Sequence, residues 1–358
     1  MTIATTDRTS GPASQPSPPR TVDAAERRSG AFRTARAHRR YWWIVGGLLA
    51  LALVTSFGLV WWGNPMPIEH PGFWRIARRR AITVVVLLIV AVCQSLATVA
   101  FQTVTSNRII TPSIMGFESL YRAVQTTMVY LFGVAGVVAL NNLQSFVLQV
   151  ALMVGLACAL YGWLLTGRYA NLQVMLLVGI IIGTGLGSVA SFMQRMLTPS
   201  EFDVLTARMF GSVGNADVAY FPVAIPLMVV AGGVLCFLAR TLNAVALGRE
   251  AATNLGVPHR RTLITVLVAA ATLIAVSTAL VGPMTFLGFL VATLSYQFAD
   301  THDHRYLLPM SVLIGFAVLT TAYFVMHHVF YAYGVVSILI ELVGGTLFLI
   351  VILKKGRL

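Results

Sequence analysis

The sequence predicts an all-α membrane protein with about ten transmembrane helices. Of its 358 residues, 57% are hydrophobic and only 10% are charged, whereas a soluble domain carries about 25% charged residues. Ten hydrophobic runs follow one another, most of them close to the roughly 20 residues that a spanning helix needs. The runs cover residues 41–60, 81–104, 112–138, 145–165, 172–193, 220–239, 262–281, 284–298, 307–327 and 335–353.

The N-terminal 40 residues differ from the rest in composition. They are rich in Thr, Ser, Pro and Arg and contain few large apolar side chains. Such a segment buries too little apolar surface to offset its ordering entropy, so we expect residues 1–40 to be a disordered basic tail. Trp42 and Trp61 flank the first run, as aromatic residues do at membrane interfaces. The run is too long for a cleaved signal peptide, so we expect a transmembrane domain over residues 41–358.

Positive charge predicts the orientation in the membrane. The net charge is +13, but most arginines lie at predicted membrane edges and form no single stripe, which argues against a nucleic-acid partner. Basic residues collect on the cytoplasmic side of membrane proteins. The basic tail therefore predicts a cytoplasmic N-terminus. Ten spans return the C-terminus, with Lys354, Lys355 and Arg357, to the same side.

Four arginines before the second run break this pattern. Arg75, Arg78, Arg79 and Arg80 are predicted to lie on the outer side. In one interpretation, a strongly oriented first span overrides them and they have no further role. In the other, they form a docking site for an acidic extracytoplasmic partner, because Arg75 and Arg78 are three residues apart and share a helix face.

Three charged residues lie inside the predicted spans. Glu118 and Arg122 are four residues apart in the third run, near its predicted cytoplasmic end. We expect them to form an ion pair, since an unpaired charge at mid-membrane costs roughly 2.5–3.5 kcal/mol. Glu341 in the last run has no partner nearby in sequence. It faces either the bundle interior or the transport pathway.

Glycines repeat every four residues along the fifth run, at Gly179, Gly183 and Gly187. This spacing places them on one helix face, where another helix can approach closely. Ordinary tight packing and a moving gate in a transport pathway both explain such a face.

The longest polar interruption in the second half covers residues 242–261. It predicts two very short helices, over 242–247 and 249–255, separated by Gly248 and ended by Gly256. Leu247 and Leu255 can face a surface while the polar side chains face water. These polar residues are Arg249, Glu250, Thr253 and Asn254. Such an element is either a structured loop on the membrane surface or a segment held by another protein.

No catalytic constellation is found in the sequence, which contains no P-loop, HExxH, paired-carboxylate motif or nucleophile elbow. The three cysteines lie singly in hydrophobic runs and predict buried thiols: Cys93, Cys158 and Cys236. We therefore expect no active site, metal or cofactor in this chain.

Six blocks in order along residues 41–358 resemble the permease subunits of the iron-chelate and cobalamin importers, which are type II bacterial ABC importers. Each block alone is a weak signal, but six in order are specific. The blocks are RIAR at 75–78 with Gln94 and Gln102 following, TPSIMG at 111–116, LGREAATNLGV at 247–257, VGPMTFLG at 281–288, DHRYLLP at 303–309 and the glycine pair at 344–345.

The chain also departs from the family pattern. Ala77 replaces the proline of the family's Arg-x-Pro-Arg, and Ala-Thr at 292–293 stands where many members carry Pro-His. The family's Leu-Pro-Val-Gly is missing near residues 333–337. Glu118 and Glu341 stand where the best-known members carry small or polar residues. The TPSIMGF form and the block around Glu341 resemble the ferric-siderophore branch, which often pairs two different permeases.

The resemblance implies a type II ABC importer permease that moves a ferric siderophore across the plasma membrane into the cytoplasm. An extracytoplasmic binding protein would dock at Arg75 and Arg78. A dimer of cytoplasmic ATPases, which holds ATP and Mg, would grip one segment 242–256 per permease, and a second permease, identical or different, would complete a pathway gated by the fifth run. The coupling residues implied are Leu247, Gly248, Arg249, Glu250, Asn254, Leu255 and Gly256.

Alternative functions stay open at this point. Members of the same family import cobalamin or haem. In a different class, a proton-coupled secondary transporter would use Glu118, Arg122, Glu341 and His327 as a proton relay. The polar segment at 242–261 argues against that class, because a relay needs no element for another protein to hold. A membrane enzyme or sensor is disfavoured, because the sequence has neither a catalytic constellation nor an appended soluble domain.

Overall fold

The computed structural model describes residues 30–32, 34–139, 143–166, 172–330 and 336–355. Within these ranges the chain is all-helical, with short 3-10 turns between α-helices. The α-helices are α1 (Ala35–Trp61), α2 (Pro71–Val104), α3 (Phe117–Ala139), α4 (Leu143–Thr166), α5 (Leu172–Gln194), α6 (Pro199–Met209), α7 (Phe221–Phe237), α8 (Ala239–Val245), α9 (Arg249–Asn254), α10 (His259–Val281), α11 (Leu287–Ala299), α12 (His304–His328) and α13 (Val336–Lys355).

The structure confirms the predicted class of all-α membrane protein, because each of the ten hydrophobic runs overlaps an α-helix, while the number of ten spans stays a prediction. In the described part of the chain, seven helices are long and apolar enough to cross a membrane, and α11 and residues Ser337–Leu347 are shorter apolar helices. Large apolar side chains on α1 are exposed, including Trp43, Val54 and Phe57, which suits a lipid environment. The protein is therefore a multi-pass membrane protein.

Helices α2 and α10 form the centre of the bundle. Most of their residues are buried, whereas α1 is mostly exposed. α10 packs against α2, α4 and α7, α12 packs against α1 and α2, and α3 lies along α5. A buried hydrogen bond from Gln94 Nε2 to Ser277 Oγ, 3.2 Å long, joins the two central helices. The short helices α8 and α9 attach to this centre at one end.

The ordered part of the chain begins before the predicted boundary at residue 40. α1 starts at Ala35, where the backbone N–H of Ala37 donates to Thr34 Oγ1 at 3.1 Å. Phe32 is buried against the rings of Tyr41 and Tyr306. A helix cap and aromatic packing extend the fold to the N-terminal side of the first hydrophobic run, so the predicted tail is corrected for residues 30–32 and 34–40. Residues 1–29 lie outside the described ranges, and their disorder stays a prediction.

The third hydrophobic run is not one continuous helix. Residues 112–115 form a 3-10 turn, Gly116 has a left-handed φ of 93°, and α3 begins only at Phe117. Gly116 touches Gly183 in the middle of α5, and Gln194 Nε2 at the end of α5 donates to Thr126 Oγ1 at 3.1 Å. The first turns of α3 therefore run beside the C-terminal half of α5, because a proline-led turn and a glycine stop the helix from starting earlier.

Helix α6 lies between the fifth and sixth hydrophobic runs, outside the predicted spans. A capping box begins it: the Glu201 carboxylate accepts hydrogen bonds from the backbone N–H of Thr198 at 2.9 Å and from Thr198 Oγ1 at 2.8 Å. Both bonds favour the ionised carboxylate and lower the pKa of Glu201.

The predicted departure from the family pattern near residues 333–337 and the basic residue at 357 fall largely outside the described ranges.

Candidate coupling segment, docking site and pathway

The polar segment predicted at 242–261 folds as α8, a tight turn and α9. Gly248 has a φ of 100° and Gly256 a φ of 79°, values that side chains other than glycine rarely adopt. The predicted pair of short helices is confirmed, although α8 begins three residues earlier, at Ala239. We call residues 242–256 the coupling segment.

The coupling segment is anchored by aliphatic side chains and exposes two leucines. Leu242, Val245 and Ala252 are buried, while Leu247 and Leu255 are 68% and 63% exposed. The polar side chains of α9 are exposed, as the sequence predicts: Arg249, Glu250, Thr253 and Asn254. The segment thus presents a mixed apolar and polar surface, and its buried aliphatic side chains hold its backbone against the rest of the bundle.

A polar network that sequence reasoning missed joins the base of this segment to α12 and α2. Asn243 Oδ1 accepts a hydrogen bond from the backbone N–H of His304 at 2.8 Å and lies 2.6 Å from its Nδ1. Asn243 Nδ2 donates to Asp303 Oδ1 at 2.9 Å. On the far side of the ring, His304 Nε2 lies 2.7 Å from Thr103 Oγ1 of α2. The only sequence signal was the DHR triplet, which was noted as a family block without a role.

The hydrogen bonds of the network indicate that Asp303 is charged and which ring nitrogen of His304 carries the proton. Burial opposes ionisation of Asp303, but hydrogen bonds from Arg305 and Asn243 outweigh it and lower the pKa of Asp303 to about 2. Asn243 Oδ1 can only accept, so we assign the His304 ring proton to Nδ1. Nε2 is then an acceptor for the Thr103 hydroxyl, which can also donate to the Val99 carbonyl at 2.9 Å. The network is thus a directed set of donors and acceptors. Beside it lies a cavity of about 830 Å³.

At the other end of α2, two arginines are exposed on its first turns. α2 begins at Pro71, ten residues before the predicted hydrophobic run, so Arg75 and Arg78 lie on a helix as predicted. In the described residues neither makes a hydrogen bond or an ion pair. Arg80 differs, because its guanidinium donates to two backbone carbonyls just after α1 at 2.7 and 3.2 Å. Ala77, which replaces the family's proline, is buried on the opposite face.

The predicted ion pair between Glu118 and Arg122 does not form at contact distance in the described residues, although Arg122 lies within electrostatic range of Glu118. Glu118 Oε2 accepts a hydrogen bond from Thr285 Oγ1 at 2.8 Å, and Oε1 is buried without a hydrogen-bond partner. The described residues contain no ion pair between the two, because Arg122 is exposed and lines a cleft against α5. Glu341 of α13 lies within electrostatic range of Glu118.

Glu118 and Arg122 are on the first turns of α3, which lie beside the C-terminal half of α5. The turn at residues 112–116 occupies the first part of the predicted third run, so α3 begins later than that run does. The predicted place of the two charges near the cytoplasmic end of the span stays a prediction.

The glycine face of α5 packs closely against the start of α3. A Cβ on Gly183 would lie 2.7 Å from Gly116 Cα, and a Cβ on Gly187 would lie 3.7 Å from Ser119 Oγ. A Cβ on Gly116 would lie 3.1 Å from the carbonyl oxygen of Gly179. The glycines thus permit a close helix contact, and their role in a gate stays a prediction.

An all-helical membrane bundle with a fixed polar segment at one end and exposed arginines at the other has the architecture of a transport permease that works with partner proteins. The model of the FecCD transport family matches residues 41–354. The chain belongs to the FecCD transport family, and it is an ABC importer permease rather than an enzyme.

Individual relatives agree with this assignment. The petrobactin import system permease protein FatC of Bacillus anthracis is 52% identical over 332 residues, which cover 93% of this chain and 94% of the relative. The petrobactin import system permease protein YclO of Bacillus subtilis is 36% identical over 279 residues, covering 78% and 89%. A solved metal-chelate type ABC transporter in an inward-facing conformation has a TM-score of 0.75 at 21% identity and covers 87% of this chain and 99% of its own. That likeness shows the fold.

Proposed function

We propose that this chain carries a ferric siderophore across the plasma membrane into the cytoplasm, driven by ATP hydrolysis in a partner subunit. The observation that carries the proposal is the separation of two surfaces along α2. Thr103 near its C-terminal end joins the network that holds the coupling segment, whereas Arg75 and Arg78 are 25 to 28 residues earlier in the same helix. At 1.5 Å per residue the separation is about 38–42 Å, more than the roughly 30 Å of a hydrocarbon core.

Opposite surfaces suit opposite partners. The coupling segment would face the cytoplasm and be gripped by one subunit of an ATPase dimer through Leu247 and Leu255. Arg75 and Arg78 would meet acidic side chains of an extracytoplasmic binding protein. Ten spans and two cytoplasmic termini are consistent with this arrangement, and a second permease chain, identical or different, would complete the pathway. ATP and Mg would be held in the ATPase, with no cofactor in this chain.

The physical role of the permease is to alternate between two stable conformations. Closure of the ATPases would pull on the coupling segment, and the network around Asn243 and His304 would pass the movement to α12 and α2. To move a two-state equilibrium from 1:99 to 99:1, ATP binding must favour one state by about 5.5 kcal/mol. The chain forms no covalent bond with its cargo.

The contacts of the proposed relay residues do not support a proton-coupled transporter. Glu118 bonds Thr285 of the turn before α11, and His327 contacts Arg80 of α2 at 3.5 Å. These contacts run to different elements rather than along one chain of carriers. The siderophore is favoured over cobalamin and haem because the two relatives above are named as petrobactin import permeases.

Radiolabelled uptake tests the proposal. Cells that lack this chain are complemented with it and supplied with ⁵⁵Fe-siderophores, labelled cobalamin or haem. We expect restored uptake of a ferric siderophore, loss of uptake when the partner ATPase carries an inactivating P-loop mutation, and persistence after a brief collapse of the proton gradient at constant ATP. Uptake that survives the ATPase mutation would contradict the proposal. Restored uptake of cobalamin or haem, without uptake of a ferric siderophore, would show that the cargo is assigned wrongly.

A further inference from the structure

A second cavity lies in the cleft between α3 and α5. Its volume is about 540 Å³, and it opens to the surface. We call it the α3–α5 cleft. Its polar lining combines two arginines with four hydroxyl groups: Ser119, Arg122, Thr184, Ser188, Ser191 and Arg195. Membrane-spanning helices rarely carry such a group of side chains on a face turned to lipid, so the cleft requires another explanation.

The lining residues from α5 form one continuous polar stripe. Thr184, Ser188 and Ser191 are spaced four and three residues apart, which places them on one face of α5, and Arg195 follows in the turn just beyond the helix end at Gln194. At 1.5 Å per residue the helical part of the stripe is about 10 Å long. Val189 on a neighbouring face is exposed and apolar. The stripe is thus a narrow polar track along a helix that is otherwise suited to lipid.

The cleft has positive charge that no acidic side chain neutralises by contact. Neither Arg122 nor Arg195 forms an ion pair or a hydrogen bond within the part of the chain that the structure describes. Glu118 lies within electrostatic range of Arg122, but its carboxylate accepts a hydrogen bond from Thr285 Oγ1 and makes no ion-pair contact with the guanidinium. Guanidinium groups at the edge of a low-dielectric medium attract anions strongly.

Glycines shape the remaining wall. Gly183 and Gly187 line the cleft, and Gly183 also approaches Gly116 closely. A wall without side chains leaves room for a rigid, bulky group to lie against the helix backbone, with the arginines on the open side.

We propose that the α3–α5 cleft is an anion-binding subsite that selects negatively charged ferric chelates, of the tris-catecholate kind, over neutral ones such as ferric tris-hydroxamates. The arginines supply charge, and the hydroxyl groups can reorient from helix carbonyls to donate to catecholate oxygens. This inference rests on the proposed function, because it assigns the charge of the cargo that the permease carries.

Charge-matched variants in the complete importer test the inference. The double variant Arg122→Gln and Arg195→Gln removes both charges, and Arg122→Lys with Arg195→Lys keeps them. We expect the Gln pair to raise the KM for uptake of a ferric tris-catecholate about tenfold or more and the Lys pair to change it less than about threefold. Arg39→Gln, an exposed arginine on α1, is the control for loss of one positive charge.

A chemical probe of the electrostatic field distinguishes failure of this inference from failure of the proposed function. Ser188→Cys is placed in a chain whose three native cysteines are replaced by alanine, assembled with its partners, and treated with anionic and cationic methanethiosulfonates. We expect the anionic reagent to modify the cysteine faster than the cationic reagent does. In the Gln pair, the ratio of the anionic to the cationic modification rate should fall about tenfold. Ferric tris-catecholate should slow the modification of the cysteine.

The inference is overturned if the Gln pair imports the catecholate with the wild-type KM, or if the Lys pair fails as badly as the Gln pair. It is equally overturned if the ratio of rates falls but the chelate does not slow the reaction. That last result would assign the arginines to a lipid phosphate or a neighbouring chain. Absence of ATP-dependent uptake with a normal thiosulfonate ratio and chelate protection would instead contradict the proposed function.

Discussion

Asn243 and His304 are joined by two contacts through a single oxygen atom. Asn243 Oδ1 accepts from the backbone N–H of His304 at 2.8 Å and lies 2.6 Å from its ring Nδ1. Asn243 belongs to α8, at the base of the coupling segment, and His304 begins α12. A force applied to the coupling segment therefore moves α12 with it or breaks both contacts.

Replacing Asn243 with alanine should weaken this connection. The change removes the oxygen that accepts from the His304 backbone N–H and contacts its ring Nδ1, and an unsatisfied buried group costs about 1–3 kcal/mol. We expect a lower unfolding temperature and more ATP hydrolysed per chelate imported by the reconstituted importer. Asn254→Ala, at an exposed position of α9, should keep stability within about 0.5 kcal/mol. Equal unfolding temperatures for the two variants would argue that the network does not hold α8.

Exchanging Leu255 for aspartate should separate partner binding from folding. Leu255 is 63% exposed, so the fold loses little when it becomes polar, whereas an apolar contact with the ATPase is lost. We expect at least about a tenfold loss of co-purified ATPase with an unchanged unfolding temperature. The matched control is Leu242→Asp, whose side chain is fully buried and whose substitution should destabilise the permease itself. Normal ATPase recovery with Leu255→Asp would contradict a role in coupling.

Reversing the charge of Arg75 and Arg78 should prevent docking of the binding protein. Both side chains are exposed and make no hydrogen bond or ion pair in the described residues, so their exchange for glutamate should leave membrane insertion intact. We expect uptake to fall to background, and binding-protein stimulation of the ATPase to disappear. Arg79→Glu, exposed on another face of the same turn, should lose much less. Unchanged uptake in the double variant would leave the arginines without a docking role.

Thr285 and Glu118 should behave as an energetically coupled pair. Thr285→Val removes the hydroxyl that donates to the Glu118 carboxylate at 2.8 Å and leaves that oxygen buried without it. We expect a cost of about 1–3 kcal/mol alone, and a smaller cost in a Glu118→Gln background, measured by thermal unfolding in detergent. The same cycle with Arg122→Gln in place of Thr285→Val should give a smaller coupling energy, because Arg122 acts on Glu118 through its charge without a contact. The opposite pattern would restore the ion pair that the sequence predicted.

Two neighbouring glycines of α5 allow a direct test of the close contact with α3. A Cβ at Gly183 would lie 2.7 Å from Gly116 Cα, whereas nothing lies within 4 Å of a Cβ at Gly185. We expect Gly183→Ala to lower thermal stability and uptake, because backbone atoms must shift, and Gly185→Ala to change neither. Equal behaviour of the two variants in an unfolding assay would show that α3 and α5 do not approach so closely.

Local features of the site were predictable because they depend on neighbouring residues. Glycines at 248 and 256 set the two short helices through backbone conformations that no other residue adopts easily. Three-residue spacing placed Arg75 and Arg78 on one helix face, since helical geometry alone determines that. Contacts across the bundle were not predictable in this way: Thr103 and His304 are 201 residues apart, and nothing in the sequence pairs them.

The failed prediction for Glu118 shows the same limit. Spacing of four residues allows an ion pair with Arg122, but it does not say which neighbour competes for the carboxylate. The competitor, Thr285, is 167 residues away in sequence. It reaches Glu118 only because the helical backbone is interrupted at Gly116 and again at Gly282. A hydrophobic run shows that a segment enters the membrane, but not the depth at which its helix begins.

The sequence by itself determined the all-helical membrane class, the family, the two short helices within residues 242–256 and the shared helix face of Arg75 and Arg78. These follow from composition, periodicity and local backbone preference, which act over a few residues. Only the tertiary structure decided the hydrogen-bond partner of Glu118 and the network from Asn243 through His304 to Thr103. It also decided that Arg122 lines the same cleft as the hydroxyl groups of α5. The reason is physical: which polar groups meet inside a bundle depends on how helices pack, and packing is a property of the whole chain.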